Sequence, residues 1–404
     1  MMVLKERLTA PDPACCREDF PILRRSLKGN PLVYLDSAAT ALKPQMVIDA
    51  VLRFYTEYTA NVHRAVHRLS EEATEAFEAA RARVARFIGA EAREIVFVRH
   101  ATEALNLVAA STPKDSGVAV SDAEHHSNLL PWRKGRIVRM SVDETGCVDL
   151  GRAQADLRRE RPGLVAASTI GNAFGTRQPV SELATLAREL GAEVLLDVSQ
   201  SVGHEAVDVG QLDCDYVCFS GHKMLGPSGV GVLWVRSGRE AKLRPLLHGG
   251  SMVLRVGLDD CELQPHPWCL EAGTPNIEGV LGLAAACDYL DGVGIDKIEQ
   301  HNQALVSAFR SGLTTIPRIE VNGAKNSPES AITSFCMAGL QAHNIARLLS
   351  NRFGIMVRSG YHCAQPLHAV CGLPETVRVS VHLYNTMKEI GACIEALSII
   401  SRMP

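Results

Sequence analysis

The sequence contains no run of eighteen apolar residues, so no membrane-spanning helix is expected. It has no excess of basic residues: 42 Lys and Arg face 45 Asp and Glu, a net charge of −3, which argues against a general nucleic-acid binder. No CxxC pair and no Cys/His cluster with zinc-ligand spacing occurs, so no metal site is expected. The twelve cysteines are spread irregularly over 404 residues, unlike the dense framework of a small disulfide scaffold. Cys214, Cys218, Cys287 and Cys393 sit in apolar periodic stretches and read as small buried hydrophobes. Cys15 and Cys16 lie in a polar stretch, MMVLKERLTAPDPACCREDF, and read as incidental; that stretch also lacks the continuous apolar core of a secretory signal. No internal repeat, low-complexity segment or Pro/Ser-rich linker is visible. The residues are 46% hydrophobic and 22% charged, average for globular proteins, which excludes a disordered or collagen-like chain. The expectation is a soluble cytoplasmic protein of two or three domains.

What the chain does have is alternation. Segment 69–88 places Ala73, Phe77, Ala80, Val84 and Phe87 at helical spacing. Strand-like apolar runs follow at 94–98, 117–120, 137–140, 164–168, 193–196, 215–219 and 230–235, with helical segments such as 180–191 between several of them. Alternating units of this kind predict an α/β domain around a mostly parallel sheet. After Gly279 the texture changes: helices over 280–290 and 295–313, strands at 319–321 and 332–337, a helix over 344–351, a glycine-containing loop around Cys363 and a closing helix from Lys388. The division predicted is a large α/β domain over 26–294 and a smaller α+β domain over 295–404, with 1–25 packed on the smaller one.

Several residues fall where chemistry is expected. The run DYVCF leads into Ser220-Gly221-His222-Lys223, and ligands of open α/β sheets bind at the carboxyl ends of strands. A lysine there can condense with an aldehyde if its amine is deprotonated, although a lone loop lysine is ordinarily a solvated charge. Asp197 closes the run VLL; it could hold the pyridine nitrogen of pyridoxal 5′-phosphate protonated, or simply cap the next helix. His125, in AEHHSN after GVAV, could stack on a ring or move a proton, or lie in a polar loop. Thr102 reads as an N-cap where EIVFV meets a helix, and helix N-termini bind phosphate. Cys363, beside His362 and near Arg358 in a Gly/Pro-bounded loop, is where an accessible, activated thiolate is expected, with a buried loop cysteine as the plainer alternative. Arg378 could clamp a carboxylate or be a strand-surface charge.

Taken in order, these segments resemble the class V aminotransferase family of fold-type I pyridoxal 5′-phosphate enzymes. More narrowly, the chain resembles a group II, Suf-type cysteine desulfurase or selenocysteine lyase. The resemblance runs through LVYLDSAATALKP, ANVHRAVHRLS, ATEALNLVA, AEHHSNLLPW, GNAFGT, LLDVSQ, FSGHKMLGPSGVGVLW, LEAGTPNIEG, VRSGYHCAQPL and VRVSVHLYNT. It implies a seven-stranded, mainly parallel sheet in the large domain, a homodimer, L-cysteine or a related amino acid as substrate, and a sulfur-acceptor protein as partner. It further implies that sulfur mobilised in this way serves iron–sulfur cluster assembly. Carried onto matching residues, it makes Lys223 the covalent cofactor link and proton carrier, Asp197 the partner of the pyridine nitrogen and His125 the stacking ring. Asn172 and Gln200 would bond the ring hydroxyl region, Asn172 also facing the substrate, and Thr102, Ser220 and His222 the phosphate, with Thr274 reaching the phosphate of the neighbouring subunit. Arg378, with Arg358, would hold the substrate carboxylate, and Cys363 would take the sulfur as a persulfide, with Arg358 and His362 expected to activate its thiol.

The same resemblance admits a selenocysteine lyase, a specialised C–S lyase or an epimerase; Cys363 in its loop favours the desulfurase over the epimerase. A non-catalytic scaffold for a sulfur-acceptor protein is a rival of another class, but it would have lost Lys223 or Asp197. The chain departs from the family pattern at His100-Ala101 before Thr102, at Ile170-Gly171, at Val198-Ser199, around His248–Met252 and at Tyr361, which stands where a histidine is usual.

Overall fold

The structure, a computed structural model, describes residues 13–323 and 330–403, the first three of them by backbone alone. Seven strands form its main sheet: β1 (Ile95–Val98), β2 (Val118–Ser121), β3 (Ile137–Met140), β4 (Leu164–Ser168), β5 (Glu193–Asp197), β6 (Tyr216–Ser220) and β7 (Gly231–Val235). Their order is β1-β7-β6-β5-β4-β2-β3, and β7 alone runs against its neighbours. Apolar side chains leave both faces of each central strand. Ile95 and Phe97 enter one core and Val96 and Val98 the other; Val217 and Phe219 separate from Tyr216 and Cys218 in the same way. Such a sheet needs cover on both sides, hence the near-continuous hydrophobic runs in the sequence.

On one face, helices α1 (Gln45–Glu57) and α2 (Arg68–Phe87) pack against α4 (Ile277–Val293). On the other lies α3 (Ala101–Ser111), whose Ala104, Leu105, Leu107 and Val108 are buried. A second sheet is antiparallel: β8 (Ile319–Asn322), β9 (Ile332–Met337), β10 (Arg358–Gly360) and β11 (Thr376–Ser380), in the order β8-β9-β11-β10. Helices α5 (Ile295–Thr314) and α6 (Met387–Ser401) share its core through Leu305, Phe309, Ile390 and Leu397.

Three features differ from expectation. Arg358–Gly360, read as loop, is a strand because it pairs residue for residue with β11. The hairpin of Val253–Val256 and Cys261–Leu263 was not anticipated; most of its residues are exposed, so burial imposes no period on its sequence. Cys16 is not incidental. It is buried in the core cluster that holds Phe20 and Leu23, and Phe20 sits edge-on to Tyr289 and Tyr384 at 5.9 and 4.7 Å. Arg17 pairs with Glu389 at 2.7 Å, and the Tyr289 hydroxyl donates to Asp19 at 2.8 Å, so this segment touches both α6 and α4. Residues 1–12 of the N-terminal stretch lie outside the described residues. Among the described residues no helix is long and apolar enough to cross a membrane, and no group of side chains is placed to hold a metal ion.

Candidate active site

The carboxyl ends of β4, β5 and β6 deliver Ser168, Asp197 and Ser220 to one edge of the sheet. Because β7 runs backwards, its first residue, Gly231, lies opposite both Ser220 and Val98. A Cβ on Gly231 would come within 2.8 Å of the His100 Cα, so the missing side chain lets the start of α3 close onto this edge. There the structure corrects the sequence reading. The chain is extended at His100 and helical from Ala101, so His100, not Thr102, is the N-cap, its Nδ1 accepting from the Glu103 N–H at 3.2 Å. The Thr102 hydroxyl lies 2.7 Å from that of Ser127, and the Ala101 N–H donates to Ser220 Oγ at 2.9 Å.

This edge borders a cavity of about 260 Å³ whose walls include Lys223, Cys363, His125, Thr102, Asn172, Asp197, Gln200, Ser220, His222, Arg358 and Arg378. Thr274 is not among them; it is exposed and borders a separate cleft with Arg99, Glu103 and Asn276. The chain alone thus gathers every residue singled out from the sequence except the one ascribed to a neighbouring subunit.

Lys223 ends a single tight turn, Gly221–Lys223, directly after β6. Burial pulls its pKa down and the Arg378 charge adds to this, against the opposing pull of Asp197, so the free amine is favoured relative to an ordinary lysine. Asp197 Oδ1 accepts from the Ser199 N–H at 2.9 Å. His125 Nδ1 accepts from the Ser127 N–H at 3.1 Å, and burial, reinforced by Lys223, lowers its pKa to about 3, so its ring is neutral with the proton on Nε2. Gln200 Nε2 donates to the Ala38 carbonyl at 3.1 Å. Arg378 is 2% exposed, which excludes the strand-surface reading; burial brings its pKa down to about 10, with Asp36 opposing. Four buried polar atoms on the walls have no partner: Asn172 Oδ1, Ser199 Oγ, His362 Nδ1 and Arg378 Nε. Each costs about 1–3 kcal/mol while unsatisfied. A polar ligand is what such walls are built to receive.

Cys363 is exposed and follows His362, and both adopt left-handed backbone, with φ of 57° and 52°. Two successive non-glycine residues there store roughly 1–3 kcal/mol each. The turn is held by the His126 N–H on the Cys363 carbonyl at 2.9 Å and by Asn172 Nδ2 on the His362 carbonyl at 2.6 Å. The same turn sends the His362 ring inward, with Nε2 2.9 Å from Thr376 Oγ1. Burial first, then the charges of Arg378, His368 and Arg358, lower its pKa to about 2. His362 is therefore neutral and offers no positive charge to the thiol, contrary to the expectation from sequence adjacency.

Sequence reasoning passed over three contributors. Asp36 lies 3.3 Å from Arg378 Nη2 and 3.4 Å from Arg358 Nε; it closes the apolar run LVYL much as Asp197 closes VLL, a signal that could have found it. Glu124 is buried beside His125 and accepts from the Ser168 N–H at 2.9 Å and from Asn128 Nδ2 at 2.8 Å, tying the histidine loop to β4. Lys43, the Thr40 hydroxyl and the Ala41 N–H all donate to the His222 carbonyl, at 3.1, 3.2 and 2.9 Å, fixing the peptide that precedes Lys223.

The family model of the class-V aminotransferases matches residues 33–393. A probable cysteine desulfurase of Halobacterium salinarum is 40% identical over 400 residues, 96% of each chain. A cysteine desulfurase of Salmonella agona is 41% identical over 402 residues, 96% of this chain and 98% of that one. Among solved structures, the apo cysteine desulfurase of Thermococcus onnurineus superposes with a TM-score of 0.92 at 36% identity, over 98% of this chain and 99% of that one. A cysteine desulfurase of Escherichia coli in an S-sulfonic acid form does so with a TM-score of 0.86 at 35% identity, over 97% and 98%.

Proposed function

The chain belongs to the aminotransferase class-V family, and from that premise we propose that it is a pyridoxal 5′-phosphate-dependent cysteine desulfurase, an enzyme that converts L-cysteine to L-alanine and takes up the sulfur as a persulfide. One observation carries the reading: an amine shifted toward its free form, a carboxylate, a buried guanidinium and an exposed thiol border a single small cavity.

The walls fit the cofactor. Lys223 offers an amine shifted toward its free form, Asp197 a carboxylate for a pyridinium, and His125 a neutral ring; Asn172 Oδ1 and Ser199 Oγ are orphaned acceptors and donors. We assign Lys223 to the covalent link, Asp197 to the ring nitrogen, His125 to its face, Asn172 and Gln200 to its hydroxyl region, and Thr102, Ser220 and His222 to the phosphate. When bound, the cofactor supplies an electron sink for charge at the substrate α-carbon.

The chain's own residues do the rest. Arg378 binds the substrate carboxylate in its buried recess. Lys223 takes the α-proton and returns protons to carbon. The Cys363 thiolate attacks the substrate sulfur: an S–S bond forms, the C–S bond breaks, and its electron pair stays with carbon, which is then protonated to the methyl group of alanine.

We further propose a homodimer: Thr274 is exposed and lies at a separate cleft of its own chain, so the phosphate contact ascribed to it would come from a neighbouring subunit. The large and small units over 26–294 and 295–404 are proposed as its domains, with 1–25 against the smaller. A sulfur-acceptor protein, iron–sulfur cluster assembly and the cytoplasm complete the reading; no cysteine whose side chain is described is in a disulfide, which suits a reducing compartment.

Purified protein supplied with the cofactor should turn yellow and release alanine and sulfide from L-cysteine in the presence of a thiol reductant. A protein that stays colourless, or releases no alanine, overturns the assignment. For the shared site, a charge-assisted hydrogen bond contributes about 1.5–3 kcal/mol. Thr274→Ala should accordingly weaken cofactor retention by about one to two orders of magnitude in equilibrium dialysis. Sedimentation of a fully active monomer would refute the shared phosphate contact.

A further inference from the structure

Arg358 and Arg378 are register partners on β10 and β11. Like charges directly opposed across a strand pair repel. What relieves them is Asp36, which gives Oδ1 to Arg378 Nη2 at 3.3 Å and Oδ2 to Arg358 Nε at 3.4 Å. Both contacts are long for charge-assisted bonds, which run near 2.7–2.9 Å in general.

The guanidinium of Arg378 is otherwise only partly committed. Nη1 donates to the Asn172 carbonyl at 2.8 Å, and Nε, buried, has no partner. A carboxylate is gripped by two adjacent N–H groups of one edge. On Arg378 the edge that holds the unpartnered N–H is Nε with Nη2, and Asp36 stands on half of it.

We propose that Asp36 is a positioning residue that keeps the place of the substrate carboxylate: an incoming carboxylate takes the Nε/Nη2 edge, and Asp36 is released from Arg378 to pair with Arg358 alone. This rests on the reading of Arg378 as the carboxylate site. Arg358 opens the strand that runs into Tyr361, His362 and Cys363. Occupation of the carboxylate site is thereby passed to the cysteine loop before sulfur transfer.

The test reads thiol exposure without turnover. In the cofactor-loaded wild type, alkylation of Cys363 by iodoacetamide, followed by peptide mass spectrometry, should change at least twofold when L-alanine is added. L-alaninamide, which lacks the carboxylate, should leave it unchanged. In Asp36→Asn the response to L-alanine should disappear, and Asp36→Glu should restore it. Spectral titration should show L-alanine binding to Asp36→Asn three- to tenfold more tightly, since no internal carboxylate competes; with L-cysteine, KM and kcat should fall together. Equal responses to L-alanine and L-alaninamide in the wild type, or unchanged or weaker L-alanine binding by the variant, overturn the proposal. Should the wild type fail to release alanine from L-cysteine, the functional reading fails instead, and the alkylation response still reports on Asp36.

Discussion

Cys363→Ala should retain the cofactor, still bind L-cysteine as judged by a spectral change, and lose nearly all alanine production. The thiol is exposed where it borders the cavity, and the hydrogen bonds of Thr102, His125, Asn172, Asp197, Gln200 and Ser220 do not go to it, so truncation to a methyl group leaves those contacts in place. Its carbonyl, held by the His126 N–H, survives the substitution because that bond is made by the backbone. Loss of a covalent nucleophile from an otherwise intact site lowers turnover by about 10³-fold or more. L-Selenocysteine provides the internal control. A selenol is far more acidic than a thiol, so selenium can leave with little help, and the variant should keep much of its activity on that substrate. If Cys363→Ala turns over L-cysteine at near the wild-type rate, the cysteine is only a loop residue and the C–S lyase reading replaces the desulfurase.

The sequence made some of this site legible and hid the rest for identifiable reasons. Strands β3 and β4 of the large sheet and β9 of the second one have the bounds expected for them, and the remaining strands of the large sheet lie within a residue or so; the central ones, such as β4, are buried on both faces and so read as continuous apolar runs. Asp197 and Lys223 were visible because each stands at the carboxyl end of such a run. The direction of the His362 ring was not visible. It depends on two left-handed residues and on Thr376, which adjacency in sequence does not report. Nor was the cap at the start of α3, because histidine is an unusual N-cap and Thr102 has the commoner chemistry. Asp36 escaped for another reason. Its partners are more than 300 residues away, and their juxtaposition is set by the register of β10 on β11. Hydrophobic periodicity finds elements, whereas a charge shared between elements is found only after they are paired.

Lys223→Ala should have the largest effect of any single change. In the wild type, borohydride reduction should leave a cofactor-derived mass on the peptide containing residue 223; in the variant this mass should vanish even where free cofactor is retained by the other side chains. Retention is expected because Asp197, His125 and the start of α3 do not depend on the lysine for their own hydrogen bonds. Turnover should fall by about four orders of magnitude or more, since general acid–base catalysis alone contributes about 10²–10⁴-fold. Lys223→Arg should be no better: a guanidinium stays protonated, whereas burial at this position favours the uncharged form of an amine. A small exogenous amine such as ethylamine separates the two duties of the lysine. It can move protons within the cavity but leaves no covalent mark on the protein, so partial recovery of alanine release without recovery of the borohydride-fixed mass is the expected pattern. Full activity of Lys223→Ala without added amine would remove the lysine from the chemistry and leave it only as part of the cavity wall.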